Sequence, residues 1–400
     1  MIDHPMRPTS LTIPKTVWVL GFVSMFMDIS SEIIHALLPL FLTATLGISV
    51  AMVGLIDGVA EATASITKVF SGYLSDRMGK RKPLILIGYG LGALSKPVFA
   101  LAGTAPVIMG TRIADRIGKG LRGAPRDALV ADVTPPEIRG RAFGLRQSID
   151  TLGAFLGPLI AIVAMGAFAN DIRAVFWLAV IPAGIAVLLV LVGVEDAKRP
   201  VNEREARVPV RIADLRRLPR TFWALVGIGT VFTLARFSEA FLIFKANAEG
   251  LPLALTPLVL VAMNAIYMLA AYPLGSLSDR VSAKAMLIGG LVALVAADLS
   301  LALLPGIAGT FVGIALWGVH MAATQGLFAK LVADRSPPEL RGSAYGVFNL
   351  ATGLSLLAAS VIAGLAWDAI GPSATFLTGA TFALIALIGL SVVRTDTPQL

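Results

Sequence analysis

The sequence contains no cysteine. That excludes disulfides, thiolate metal sites and cysteine nucleophiles. It has three histidines, and only 14% of its residues are charged, about half the share of an ordinary globular domain. It has no G-x-x-x-x-G-K-[ST] loop to cradle a nucleotide, so ATP is not expected to drive its function. No His-x-x-x-His pair occurs. Glu32-Ile-Ile-His35 has the E-x-x-H spacing of di-iron bundles, but those need a second copy and further glutamates. No metal and no other cofactor is therefore expected. The first apolar stretch is long, carries acidic residues and has no small-residue cleavage site behind it, so no leader is expected to be removed.

What the chain has in excess is apolar residues. Hydrophobic side chains make up 56% of its 400 positions, and there are 39 glycines besides. An ordinary globular domain is about 45–50% apolar with glycine included. Only a polytopic membrane protein has a use for so much apolar surface. A net charge of +8 could suggest nucleic acid as a partner. The positive residues, however, sit in short loops between apolar segments, which is a topology signal. The expected partners are a lipid bilayer, a small-molecule substrate and protons, with no nucleic acid.

A spanning helix needs about 20 mostly apolar residues. Twelve candidates satisfy this: 16–43, 48–73, 83–103, 105–131, 139–166, 172–193, 221–246, 253–276, 283–304, 307–332, 340–366 and 373–393. Loops after even-numbered spans are rich in Lys and Arg, as at Arg77, Lys80, Arg81 and Lys82. The loops near 44–51, 102–107 and 304–310 carry no charge. The positive side faces the cytoplasm, so both termini are expected there, with the chain in the cell's inner or plasma membrane.

The chain is also a duplication. Residues 129–144 read LVADVTPPEIRGRAFG and residues 331–346 read LVADRSPPELRGSAYG, with 11 of 16 positions identical. Gly72-Tyr-Leu-Ser-Asp76-Arg77 matches Gly275-Ser-Leu-Ser-Asp279-Arg280 at nearly the same offset. The reading is an all-α membrane protein of two six-helix bundles, 1–193 and 221–400, joined by a charged linker at 194–220. Six spans per half make the halves parallel repeats about an axis along the membrane normal. Such halves can rock about a central site and expose it to each side in turn.

The segment Gly72-Tyr-Leu-Ser-Asp76-Arg77-Met-Gly79-Lys80-Arg81-Lys82 resembles the signature G-x-L-x-D-R-x-G-R-R/K of the major facilitator superfamily, found between spans two and three. Lys80 stands where that family usually has arginine. The resemblance covers essentially the whole chain and implies a monomeric transporter. It implies that Asp76 sits near Ser336 at the start of span eleven and locks the halves together. Asp279 would do the same near Thr134, and Lys80 would pair with Asp132, whose repeat is Asp334. Arg81 and Lys82 are expected only to fix topology. Thr134-Pro-Pro-Glu137 and Ser336-Pro-Pro-Glu339 read as helix starts with a hydroxyl N-cap. Gly153, Gly157 and Pro158 on span five resemble the family's antiporter motif, although Ala161 and Ile162 replace its final glycines. The two glycines would let a neighbouring helix approach closely.

Ionisable residues inside a bilayer mark functional sites by default. Span one carries Asp28, Glu32 and His35 on one helix face. Two carboxylates one turn apart in a low dielectric repel, so one of them is expected to hold a proton. His35 either shares that proton or lies solvated near the outer interface. Span two adds Glu61, whose repeat position is Asn264, and also Lys68, which could neutralise a carboxylate. Asp57 reads as close to the outer surface. On span four, Arg112 and Arg116 begin a row continued by Lys119, Arg122 and Arg126, and such a row must face other helices or water. Gln147 and Asp150 lie on span five. Arg236 and Glu239 on span seven are spaced as an i, i+3 ion pair. Lys96 and His320 read as structural. The function expected is a secondary active transporter of a small polar or charged solute, by proton-coupled efflux or, alternatively, by proton-coupled uptake of a nutrient. No enzyme is expected, because no nucleophile–base pair is present.

Overall fold

A computed structural model of the chain describes residues 12–78, 80–196, 217–278, 280–324, 327–337 and 340–392. The helices are α1 (Lys15–Leu40), α2 (Val50–Met78), α3 (Lys82–Leu101), α4 (Ala105–Val133), α5 (Arg139–Ala167), α6 (Ile172–Leu178), α7 (Val180–Gly193) and α8 (Arg220–Leu234). They continue with α9 (Ala240–Ala248), α10 (Leu258–Ser278), α11 (Ala283–Leu303), α12 (Gly306–Thr324), α13 (Leu327–Asp334), α14 (Arg341–Ala369) and α15 (Pro372–Val392). No strand occurs among the described residues.

Among the described residues, ten helical segments are long and apolar enough to cross a membrane. The other two expected spans depart from that pattern for different reasons. Helix α4 has the length but carries charge throughout. Span seven is broken: α8 ends at Leu234, α9 starts at Ala240, and Arg236–Ser238 have no helical conformation. The single helix expected over 221–246 is thus two. Nothing in Leu-Ala-Arg-Phe-Ser-Glu is a helix breaker of the proline or glycine kind, so tertiary contacts impose the interruption.

Local chemistry accounts for several ends. Pro39 lies within α1, which finishes in a wider π-type turn over Phe41–Thr45. The Asp171 carboxylate accepts from the backbone N–H groups of Arg173 and Ala174 and caps α6, and Ser282 caps α11 in the same way. The cap expected at Thr134 does not form, and residues 338 and 339, which a Ser336 cap would serve, lie outside the described residues. A short turn at Pro136–Ile138 intervenes before α5, and the Thr134 hydroxyl is buried without a partner among the described residues. The Ser336 hydroxyl donates back to the carbonyl of Val332 at 2.6 Å. The prolines that follow Thr134 delay α5 by several residues, so its hydroxyl is out of reach of the first turn.

Glycines set the tightest helix pairs. A Cβ at Gly58 on α2 would lie 2.9 Å from the Leu357 Cα on α14, and one at Gly353 on α14 would lie 3.1 Å from Ser65 Cβ. The two helices belong to different halves and run against each other. Helices α1 and α5 pair likewise: a Cβ at Gly157 would meet Glu32 Cβ at 2.6 Å, and one at Gly153 would meet Met25 Cα at 2.9 Å.

The apolar core divides unevenly. One large cluster contains residues of both halves, including Ile33, Leu37, Phe41 and Phe176 from the first and Phe237, Phe241, Trp317 and Phe376 from the second. Two smaller clusters stay within one half each. Val17, Leu20, Val23 and Tyr89 belong to the first, and Phe222, Val332, Ala344 and Phe348 to the second. These smaller clusters lie toward the side where α1 begins and α15 ends, called here the terminal side. The halves are therefore sealed by shared apolar contact on the opposite side and keep separate cores on the terminal side.

Candidate functional site

Two cavities of about 350 Å³ each share Glu32, Glu61 and Lys119 in their walls. The first lies between the halves and is lined by His35, Asp57, Arg112 and Arg116 from one and by Arg236, Phe237, Ser238 and Glu239 from the other. The second lies within the first half, nearer the terminal side, and is lined by Asp28, Lys68, Arg126, Asp127 and Asp150, among others.

Helix α4 supplies the framework. Charges taken from water need partners, because a lone buried ion is costly. Arg112 bonds Asp57 at 2.7 Å. Arg116 reaches Glu61 at 3.2 Å, and Lys96 on α3 pairs with Asp115 at 2.8 Å. Lys96 also donates to Ser31 at 3.1 Å. Arg122 lies over the Tyr89 ring, 4.6 Å from its centroid, and Arg126 donates to Ser24 at 3.0 Å. The row of cations thus faces other helices and the cavities, and Lys96 is a buried structural ion. On α1, His35 Nδ1 and Glu32 are 3.3 Å apart.

Two polar bridges cross between the halves among the described residues. In one, the Asp368 carboxylate accepts from the Val50 and Ala51 N–H groups at 3.3 and 2.9 Å. The second passes through the break. The Ser238 hydroxyl donates to Asp57 Oδ2 at 2.9 Å, while Asp57 Oδ1 holds Arg112. The Ser238 N–H donates to the Ser360 hydroxyl at 3.2 Å. The break between α8 and α9 makes this bridge available, because it frees the Ser238 N–H from helical bonding and turns its side chain toward α2.

The predicted site residues sort as follows. Asp28, Glu32, His35, Glu61, Arg112, Arg116, Asp150, Arg236 and Glu239 line one or both cavities. Gln147 and Asn264 line neither. Gln147 instead donates to Asp150 at 3.3 Å, so it acts on the cavity through that neighbour. The repeat symmetry linking Glu61 to Asn264 does not extend to a shared wall. No ion pair joins Arg236 to Glu239 among the described residues, because the i, i+3 spacing holds only on a helix and these two stand in the break. Asp57 is buried rather than near the surface.

In the loop motif, the ion pair to Asp132 comes from Arg81 at 3.4 Å. Arg81 is buried and also donates to Ser75, whereas Lys80 is exposed. This corrects two expectations, the Lys80–Asp132 pair and a purely topological Arg81. Lys82 departs as well, donating to the Leu191 carbonyl at 2.9 Å. Gly72 lies within α2, Arg77 is exposed at its end, and Asp334 closes α13. Gly153, Gly157 and Pro158 are buried, with both glycines against α1. The Asp76 side chain and Asp279 lie outside the described residues, as does most of the linker.

Sequence reading missed Ser238, Ser360, Thr233 and Leu356 in the cavity wall and underrated Asp57. Asp57 carried a signal, since it lies one turn before Glu61 and shares its face. The Ser238 position had none, because helical phase fails at an unannounced break.

A family model, the Major Facilitator Superfamily, matches residues 20–351 and 240–400. The chain belongs to the major facilitator superfamily. Among relatives of this major facilitator chain, an uncharacterized MFS-type transporter of Methanocaldococcus jannaschii is 30% identical over 93% of both chains. The quinolone resistance protein NorA of Staphylococcus aureus is 27% identical over 46% of each chain. The crystal structure of the nucleoside transporter NupG (D323A mutant) superposes with a TM-score of 0.76 at 14% identity, covering 94% of this chain and 99% of that one. This last likeness concerns the fold. An integral membrane transporter with multiple spans follows from the family and from the apolar helices.

Proposed function

We propose that this chain is a secondary active transporter that moves a small polar or charged solute by alternating access, in exchange for protons. The observation that carries the reading is the cavity between the halves, walled by ionisable side chains of both. In that wall Lys119, Arg236 and Glu239 have no hydrogen-bond or ion-pair partner among the described residues. Unpaired charges of both signs suit a solute that carries charge itself. The apolar seal on one side and the separate cores on the other support a state open toward the termini. The positive loops support a cytoplasmic location for that side, with residues 194–220 as the proposed linker between two six-helix domains.

Asp28 and Glu32 are the proposed proton carriers. Asp28 lines the second cavity with no hydrogen bond or ion pair among the described residues, one turn from Glu32, which faces both cavities. A solute that competes with protons for these carboxylates yields antiport. The partial likeness to a quinolone resistance protein supports export, with resistance to a toxic compound as its outcome.

The test uses purified protein in liposomes holding a pH dye and an acidic interior. Candidate solutes are added outside, and wild type is compared with Asp28→Asn and Glu32→Gln. Solute-triggered loss of interior protons that disappears in both variants is expected. Solute flux without proton movement, unchanged in the variants, would overturn the coupling.

A further inference from the structure

A second group of ionisable chemistry lies in the other half, away from both cavities. Asp298 on α11 is fully buried, and neither of its carboxyl oxygens has a hydrogen-bond partner among the described residues. A buried charge is retained when it is paired or hydrogen-bonded, and otherwise the group neutralises itself. Among the described residues of the first half, Asp57, Glu61 and Asp115 have cationic partners and Asp28, which has none, lines a cavity, so Asp298, with neither partner nor cavity, needs explaining. The Trp317 indole N–H and His320 Nε2 are also buried and unpartnered. The rings connect these groups: Phe237 and Trp317 have centroids 5.4 Å apart, and Trp317 and His320 6.5 Å. His320 Nδ1 lies 2.7 Å from the Gly290 carbonyl. A carbonyl only accepts, so Nδ1 carries the hydrogen and Nε2 is left as a bare acceptor.

Phe237 connects this pocket to the cavity. It stands in the break between α8 and α9 and contributes to the cavity wall. Its ring edge and the carboxyl both border Gly379: the point where a Cβ would stand on Gly379 of α15 is 2.7 Å from Asp298 Oδ2 and 2.8 Å from Phe237 Cε1. Only a glycine at 379 leaves room for both. The charged and titratable groups on the packed elements are few. They are Arg236 and Glu239 in the break, His320 on α12, and Lys330 and Asp334 on α13 toward the terminal side; α15 has none.

We propose that Asp298 is a second proton-binding site, closed off from the cavity by Phe237 and opened when the α8–α9 break moves. With the ring in place the carboxyl is the neutral acid. When the ring swings away, water enters, the Asp298 O–H bond breaks, the proton passes to water and a carboxylate remains, with no change of oxidation state. The break also carries Arg236 and Glu239 into the cavity wall, so the same movement that rearranges those charges exposes this acid. The site stands whether or not solute flux is proton-coupled, and its test uses no solute.

The probe is the proton itself, read by infrared spectroscopy of the purified full chain in lipid nanodiscs at neutral pH. Wild type is expected to show a protonated-carboxyl C=O band that Asp298→Asn abolishes and Asp298→Glu shifts. Because Glu keeps the acid, it serves if the Asn variant does not fold. In heavy water the wild-type band should shift slowly, and Phe237→Ala should make that shift at least about tenfold faster, since exchange follows local opening. A spectrum in which neither Asp298 variant alters the band would overturn the proton site. Equal exchange rates in wild type and Phe237→Ala would overturn Phe237 as its closure.

Discussion

Removing the Ser238 hydroxyl should loosen the sealed side without disturbing the charges beneath it. In Ser238→Ala, the 2.9 Å bond to Asp57 Oδ2 is lost. Asp57 keeps Arg112 at 2.7 Å, so no ion is left unpaired. The variant also loses the 3.2 Å bond that the hydroxyl accepts from the Ala240 N–H. That bond lies within the second half, so the cost across the halves is that of the Asp57 bond. A net hydrogen bond to a charged group contributes about 1.5–3 kcal/mol. The bond joins two halves that separate on this side in the alternate state. Its full loss therefore shifts the ratio of open to sealed molecules by about 10- to 150-fold, and the surviving Arg112 contact argues for the lower end. The absence of cysteine provides a clean background for labelling. Spin labels on cysteines placed at Ala44 and Ala248, both exposed at the ends of spans one and seven, report the separation by pulsed electron paramagnetic resonance in nanodiscs. Ser238→Ala should populate a longer distance that is scarce in wild type. Asp57→Asn, which also strands Arg112, should do so more strongly and melt at a lower temperature. A distance distribution identical to wild type in Ser238→Ala would refute the idea that this bridge holds the halves.

Three further outcomes follow from the packing. Asp115→Asn leaves Lys96, only 1% exposed, without its anion and should destabilise the protein by about 3–5 kcal/mol, while Lys96→Met with Asp115→Leu should recover most of that; thermal melting in detergent decides. Gly157→Ala drives a methyl into Glu32 Cβ, 2.6 Å away, and should cost about 1–3 kcal/mol and impair proton exchange in the liposome assay, whereas Gly166→Ala, with open space around it, should do neither. The Glu249 carboxyl, at the end of α9, is held below the usual glutamate range by the hydrogen bond from Lys245 and by the Gly306 N–H. Its depressed value means that its contribution is complete at neutral pH and is lost as the pH falls below the ordinary glutamate value of about 4.3. Glu249→Gln should flatten the acid limb of a melting-temperature profile, and an unchanged limb would rule that contribution out.

Much of this architecture was legible because a bilayer restricts what a sequence can do. Long apolar runs announce spans, and charge within them must be buried against something, which correctly placed the α4 row from Arg112 to Arg126. The family motifs were legible through their residues, yet their partners were not. Arg81 rather than Lys80 reaches Asp132 because both stand in the turn before α3, where the path of the loop and not a helical period decides which side chain points inward. Asp57 was misjudged because depth was estimated from distance along span two, while burial there is set by α14 and the break. The break itself lacked any local cue, and with it went Ser238 and its bridge to Asp57. Duplication misled at Asn264, since two copies of an ancestral helix can keep the same fold while only one lines the cavity.

The uneven division of the core sets the two ends of the molecule under different solvent variables. Opening the sealed side uncovers aromatic and aliphatic surface shared by both halves, a change that carries a large heat capacity and weakens on cooling. Closing the terminal side brings together helix ends that present Arg77, Lys80, Asp334 and Arg335, a change governed by ionic strength across a few ångströms of water. Temperature therefore acts mainly on one end and salt mainly on the other. The resting orientation of the molecule in a given membrane becomes a function of both.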